Sequence, residues 1–327
     1  METLRRIIQS QDQIPLAAVK PIDQGFLKYR AQCLKASQAA LRHPAHRRAS
    51  PVSGAPLSPA GDVEGIPYGC CPDTGGFFML ELPAPERWRE VLVETSGLRR
   101  SPETLHAELA QSRTDTVYAP KLEWIGETLR LHGMRQPLML EAVTEPSSFR
   151  TLLKESALCS DVIPVDETKL IAQRVPGGPF QAAVLLESLD RVSDPAGLVR
   201  GVAAHLEEGG LLFVTALVSS GLDFSILGLN SLYLFPPDRT NCFSLQGLRR
   251  LLQRSGFDLV EESTPGALDV QIVREHLQRD PALPRSVFER QLLEMNDEGQ
   301  AALQAFLQQW GLSSFARIVA KRRKVIA

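Results

Sequence analysis

The sequence predicts an α/β protein: a doubly wound, mostly parallel sheet, preceded by a small β ribbon and a helical arm. Three observations predict it. From Gln136 onward, apolar runs of about five to eight residues alternate with amphipathic stretches, the pattern of parallel strands buried on both faces and separated by helices. Ahead of that region, "YGCC" and "GGFFMLEL" are short strand-like pieces around the turn "PDTG". Earlier still, residues 26–42 ("FLKYRAQCLKASQAALR") are compatible with a helix and run into "HPAHRRASPVSGAPLSPAG". The four prolines and small residues of that second stretch have linker composition. The expected divisions are an arm and linker (1–49), a ribbon-like module (50–100) and the α/β domain (101–327).

The elements follow in order. After the hinge "APERW", "RWREVLVETSGL" is helical, and a second helix spans Tyr118 to His132, with Pro120 in its first turn and Gly133 closing it. "QPLMLEAV" is a buried strand, "SSFRTLLKES" a helix, and "SDVIPVDE" and "FQAAVLLESL" are strands. "PAGLVRGVAAHL" is a helix ended by "EEGG", and "LLFVTALV" is the next strand. "SLQGLRRLLQRSG", "FDLVEEST", "AALQAFLQQWG" and "FARIVAKR" complete a helix–strand–helix–strand series. A sheet of this kind binds ligands at the carboxyl ends of its strands. The sequence holds no internal repeat and no low-complexity segment.

The totals bound the function classes. The 327 residues are 43% hydrophobic, enough for a core, and no run of about eighteen apolar residues suggests a membrane span. The opening "METLRRIIQSQDQ" lacks the features of a signal peptide, and five scattered cysteines do not make a disulfide framework. A soluble, cytoplasmic protein is expected. The net charge of −2 is uneven, because residues 1–48 carry nine Lys/Arg against three acids, +6, which leaves −8 for the rest. The basic arm is either a solvated helix with its linker or a surface for an acidic protein partner, and nucleic acid is not expected. The tail "KRRK" is read as closing the last strand.

Several segments together resemble a known family. "LEEGGLLFVTALV", "FQAAVLLESLDRVSDPAGLVR", "PPDRTNCFSLQGLRRLLQRSGFDLVEESTPGALDV" and "GLSSFARIVAKR" resemble, in order and spacing, the class I S-adenosylmethionine-dependent methyltransferases. The likeness is to a subgroup that acts on sugars or other small metabolites and carries an N-terminal zinc ribbon. It covers roughly residues 118–327 and, more faintly, 50–82. It implies a Rossmann-like fold, S-adenosylmethionine as cofactor and a small polar, sugar-like acceptor.

The resemblance also marks departures. The ribbon's two CxxC knuckles correspond to "SPVSG" and "CPDTG", where Ser50, Ser53 and Thr74 stand at three ligand places and only Cys71 keeps a thiol. Hydroxyls are poor zinc ligands, so no zinc is expected, and packing of Phe77, Phe78 and Leu80 would hold the module. The cofactor loop after the first strand corresponds to "EAVTEPSS" and contains no glycine. Glu141 stands at the acidic position, with Ala142 and Thr144 along the loop. Glu145 would put charge beside the cofactor's carboxylate, a repulsion of about 4 kcal/mol at ~4 Å and an effective dielectric of ~20.

The ribose-binding acid corresponds to Asp166, with Glu167 as the alternate; a solvated loop acid is the other reading. At the catalytic positions "ESLDRV" and "PPDR" replace the family's Glu-His and histidine-bearing segments. Glu187, Asp190, Arg191, Tyr233, Asp238 and Arg239 are the candidate residues there. Arginine cannot act as a general base, so transfer to carbon would need Glu187 or Asp190. Arg191 and Arg239 either favour an anionic ligand or pair with acids such as Asp190 and Asp238. Two functions stay open. One is methyl transfer to a small polar molecule. The other is a catalytically inactive pseudo-methyltransferase that binds a protein partner.

Overall fold

The computed structural model describes residues 4–7, 14–99, 112–143, 148–172, 175, 178–280 and 285–324. In chain order, strand β1 (Arg5–Arg6) precedes helices α1 (Leu16–Val19) and α2 (Gln24–Ala40). Strands β2 (Ala45–His46), β3 (Ser58–Val63), β4 (Ile66–Cys70), β5 (Phe77–Met79) and β6 (Glu81–Leu82) then lead to helix α3 (Pro85–Arg99). A π-helical turn at Thr114–Tyr118 enters α4 (Ala119–Leu131), followed by β7 (Leu138–Ala142), α5 (Ser148–Glu155), β8 (Asp161–Val165) and α6 (Glu167–Ile171). Next come β9 (Phe180–Leu186), α7 (Pro195–His205), β10 (Leu206–Leu217), α8 (Leu222–Leu227), β11 (Asn241–Cys242) and α9 (Leu245–Arg254). The chain closes with β12 (Phe257–Ser263), α10 (Asp269–Arg279), α11 (Val287–Glu294), α12 (Asp297–Trp310) and β13 (Phe315–Arg322).

The main sheet has the order β1-β12-β13-β10-β9-β7-β8, and every strand but β13 runs in the same direction. Side chains alternate between two cores, as a two-residue strand period requires. Leu212, Val214, Ala183, Leu185 and Leu140 face a core that includes Leu198 and Val202 of α7 and Leu248 and Leu252 of α9. Leu211, Phe213, Ala182, Val184 and Met139 face the opposite core, against Trp124 and Ile125 of α4 and Phe149 and Leu153 of α5. This is the doubly wound, Rossmann-like architecture expected from the alternating runs.

Local chemistry sets the helix starts. Asp194 accepts the Gly197 N–H at 2.8 Å ahead of Pro195 in the first turn of α7. Ser244 accepts the Gly247 N–H at 3.0 Å and opens α9. Such caps satisfy the unpaired amides at a helix start. No helix among the described residues is long and apolar enough to cross a membrane.

Four features differ from the sequence reading. The basic arm is not wholly helical: Arg5 and Arg6 form β1, which adds in parallel to the edge of the main sheet beside Glu261 and Glu262. The proline-rich stretch supplies β3, which contains Pro59, at the edge of a second sheet ordered β11-β5-β4-β3. An edge strand tolerates proline because one row of its amides lacks a sheet partner. "EEGG" is not a simple turn, since β10 begins at Leu206 and its pairing with β9 shifts register between Leu206 and Leu211, around Gly209 at φ 80°. The acids after β8 open a short helix, α6, instead of lying in a loop. The ribbon is completed by β11 from the carboxyl-terminal half, which pairs with β5 through Asn241–Phe78 and Cys242–Phe77. Phe78 also packs edge-on against Phe243, at 5.5 Å between centroids.

Helices α6 and α7 approach closely at Gly201, where a Cβ would collide with the Leu170 carbonyl. Gly201→Ala should therefore destabilise the fold by about 1–3 kcal/mol, as overpacking does. Gly97→Ala on α3, where a Cβ meets nothing within 4 Å, should stabilise it by up to ~1 kcal/mol through helix propensity. Urea unfolding of the two variants checks the pair.

Candidate functional site

The candidate residues gather at the carboxyl edge of the sheet. Glu141, in β7, is buried, and its Oε2 lies 3.4 Å from Arg150 Nη1 of α5. The Ala142 side chain is in the core and its carbonyl accepts the Ser188 hydroxyl at 3.1 Å, so neither group faces a ligand. Thr144, with the rest of the glycine-free loop, lies outside the described residues. Asp166 ends β8 as the N-cap of α6, accepting the Thr168 amide at 2.9 Å and the Thr168 hydroxyl. Its other oxygen accepts from Arg89 of α3 at 2.9 Å. Glu167, in the first turn of α6, is buried.

The next strand end carries an ionic network. Glu187 follows β9 in the left-handed region, φ 60°, a conformation uncommon for a residue with a side chain. Its carboxylate lies between Lys121 Nζ of α4 at 3.4 Å and Arg239 Nη2 at 3.3 Å. Arg239 also reaches Asp190 at 3.5 Å. Asp190 is 0% exposed and accepts the Leu217 amide at 3.2 Å. Arg191 lies 3.8 Å from Asp238 and donates to Ser96 of α3 at 3.2 Å. Asp238 also accepts the Tyr29 hydroxyl at 3.1 Å. Both arginines thus pair with acids of the same network.

Beside this network the strand ends enclose a cavity with about 110 Å³ of internal space. Leu217 ends β10, Ala267 and Asp269 follow β12, and Phe315 begins β13, so its wall lies on one sheet edge. Of the sequence candidates, the structure places Glu187 and Tyr233 at the cavity, and the Tyr233 hydroxyl is committed to the Lys20 carbonyl at 2.6 Å. Asp190, Arg191, Asp238 and Arg239 are not among the lining residues.

The sequence reading missed Lys20, Arg113, Lys121 and Asp223, which line the same space. Lys121 had a signal. It falls with Trp124, Ile125 and Thr128 on the buried face of α4, where a lysine costs desolvation unless it serves something. Lys20 had none, because only the tertiary fold brings the arm to the strand ends.

Burial dominates the electrostatics. It pushes Lys20 down to about 8 and lowers Lys121, against the opposing pull of Glu187 on both. Burial raises Asp223 to about 7, helped by Asp269 beside it, and raises Asp190 to about 7 against the pull of Arg239.

The ribbon positions also converge. The Ser53 hydroxyl lies 3.5 Å from Cys71 Sγ. Burial raises the Cys71 thiol, but the hydroxyls of Ser50, Thr74 and Ser53 outweigh it and hold the thiol below its ordinary value. Among the described residues no group of three or more His, Cys, Asp or Glu is placed to hold a metal ion.

A carboxyl whose folded pKa lies above its unfolded value stabilises the fold at low pH and loses that contribution as pH rises. For Asp223 the window runs from the ordinary aspartate range up to about 7. Asp223→Asn should therefore gain on the wild type by about 2–3 kcal/mol between about pH 5 and about pH 8. Urea midpoints at both pH values would test it, and a pH-independent difference would refute it.

A search of the curated proteins returns no match. Among solved structures, a Burkholderia thailandensis 1,6-didemethyltoxoflavin-N1-methyltransferase with bound 1,6-didemethyltoxoflavin and S-adenosylhomocysteine is 13% identical, with 82% of this chain and 100% of that chain covered, at a TM-score of 0.42. An S-adenosylmethionine-dependent methyltransferase from Mesorhizobium loti is 15% identical, covering 63% and 100%, at a TM-score of 0.37. Scores this low leave the likeness without weight for function. The segment that contains β7 to β10 and α9, residues 129–262, matches the family model described as a methyltransferase domain.

Proposed function

We propose that the protein transfers a methyl group from S-adenosylmethionine to a small polar acceptor held in the cavity at the strand ends. The observation that carries the reading is the placement of a half-open cavity, lined by charged and apolar residues, beside Glu187 on the sheet edge where Asp166 follows β8. When bound, S-adenosylmethionine supplies an electrophilic methyl group.

Asp166 is the residue to hold the ribose hydroxyls, and the fit depends on Arg89. The Arg89 side chain is 47% exposed, and an ion pair of that kind contributes only about 0–1 kcal/mol, so ribose hydroxyls displace it at little cost. Glu187, fixed by Lys121 and Arg239, sits at the cavity wall as the group to orient an acceptor hydroxyl or amine. Asp223, poised near neutrality by burial, is the residue to take the acceptor's proton. Asp190 lies fully buried behind Arg239 and is a positioning group.

A second reading, a pseudo-methyltransferase that binds a protein partner, draws support from the same acids. Both oxygens of Asp166 are engaged, and Glu141 is buried against Arg150. The glycine-free loop points the same way. Calorimetric titration with S-adenosylmethionine separates the two readings. Binding is expected, and at a hundred times the dissociation constant it should add about 2.7 kcal/mol of stability. Arg89→Ala should tighten binding by up to about fivefold. No heat and no thermal shift at millimolar cofactor would leave the second reading.

A further inference from the structure

The cavity's charges are not equally answered. Lys121 has Glu187, and Glu187 has Arg239 as well. Asp269 accepts from Ser313, Ser314 and Gln304, and Asp223 accepts from the Phe224 amide and Ser314. Lys20 and Arg113 are different. Lys20 Nζ stands 5.5 Å from the Tyr233 ring centroid, and among the described residues Arg113 donates to the Val19 carbonyl alone, at 3.4 Å. Neither forms an ion pair with any described residue: Glu187 and Asp223 favour the charge on Lys20 only from beyond contact distance, while Arg239 and Arg113 oppose it. Lys20 and Arg113 line the same partly desolvated space, where like charges repel, and an anion bound near both relieves the repulsion and the desolvation.

Much of the remaining wall is apolar, with Val19, Leu217, Ile272 and Phe315 beside Thr116, Ser314 and a further cation, Arg317. The space of about 110 Å³ is in the size class of an engineered cavity of about 150 Å³ that holds benzene. We infer that the cavity binds a small monocarboxylate with an apolar body, its carboxylate between Lys20 and Arg113 and its body against Val19, Leu217, Ile272 and Phe315. The inference rests on reading this cavity as the acceptor pocket, but its test does not use the cofactor. The arm then has a defined task, because Lys20 closes the pocket with the charge that selects its ligand.

The test compares 3-methylbutanoate with its neutral isostere 3-methylbutanamide on the wild-type protein by calorimetry or ligand-observed NMR. The acid is expected to bind, with the amide at least about tenfold weaker. Lys20→Met and Arg113→Met should each weaken the acid by at least about tenfold while leaving the amide unchanged, and Lys20→Arg should restore binding. Equal binding of acid and amide, or binding of neither at millimolar concentration, overturns the inference. Retention of full affinity by both methionine variants overturns it too. The acid–amide comparison needs no variant, so a misfolded mutant does not spoil it. Acid binding without any S-adenosylmethionine binding would sink the methyltransferase reading and leave this one standing. Cofactor binding with equal acid and amide affinity would do the reverse.

Discussion

The structure depends on β10. From Leu211 to Thr215 the strand is paired on both edges, to β9 and to β13, and its side chains are buried on both faces. A strand placed so can carry almost nothing charged, because an unpaired ion there would cost several kcal/mol. Its central residues are accordingly Leu, Phe, Val and Ala, with Thr215 the one polar group. The charged residues are displaced to where the strands stop. That is why Glu187, Asp190, Asp223 and Asp269 all sit on one edge.

Crowding four carboxyls at one edge needs compensation, and the fold supplies it from distant segments. Arg239 enters from the segment before β11 to meet Glu187 and Asp190, and Lys121 from α4 to meet Glu187. Arg191 and Arg239 therefore act as counter-ions to neighbouring acids, and arginine is too basic to shuttle protons. Burial raises the Asp223 carboxyl to about 7 at the cavity wall, and no motif marks it. Glu187 links these contributions, since it ends β9, holds a left-handed backbone and touches both cations. Backbone strain of this kind persists where surrounding contacts over-determine it, and it concentrates at functional sites.

The ribbon shows the same economy. The hydroxyls of Ser50, Ser53 and Thr74 gather around the Cys71 thiol. The shape is held by packing and by sharing. Phe78, Cys71 and Val52 belong to the core of the main sheet, and β11 is borrowed from the other half of the chain. Helix α3 strengthens the connection. Trp88 donates to the Arg191 carbonyl at 2.9 Å, and Arg89 holds Asp166. The amino-terminal segments thus lie against the same strand ends that form the candidate site.

The sequence by itself determined the doubly wound sheet, its strands other than β1, and the helix starts near Gln24, Pro85, Ala119, Ser148, Pro195 and Leu245. Those features rest on local chemistry: apolar runs long enough for buried strands, Asp194 and Ser244 at helix caps, and Gly311 in the left-handed region after α12. The acids Glu141, Asp166 and Glu187 were legible too, because each directly ends a strand or stands next to its end. What lay beyond reach was set by pairing over long separations. Whether Arg239 would meet a ligand or an acid depends on where the segment before β11 docks. Whether Pro59 lies in a strand depends on that strand being an edge. Lys20 reaches the cavity only because α1 and α2 fold back over the strand ends, where Tyr233 anchors the Lys20 carbonyl. Periodicity records which face of an element is buried. Only the tertiary structure decides which charges are brought together, because their pairing energy arises between segments about fifty to eighty residues apart.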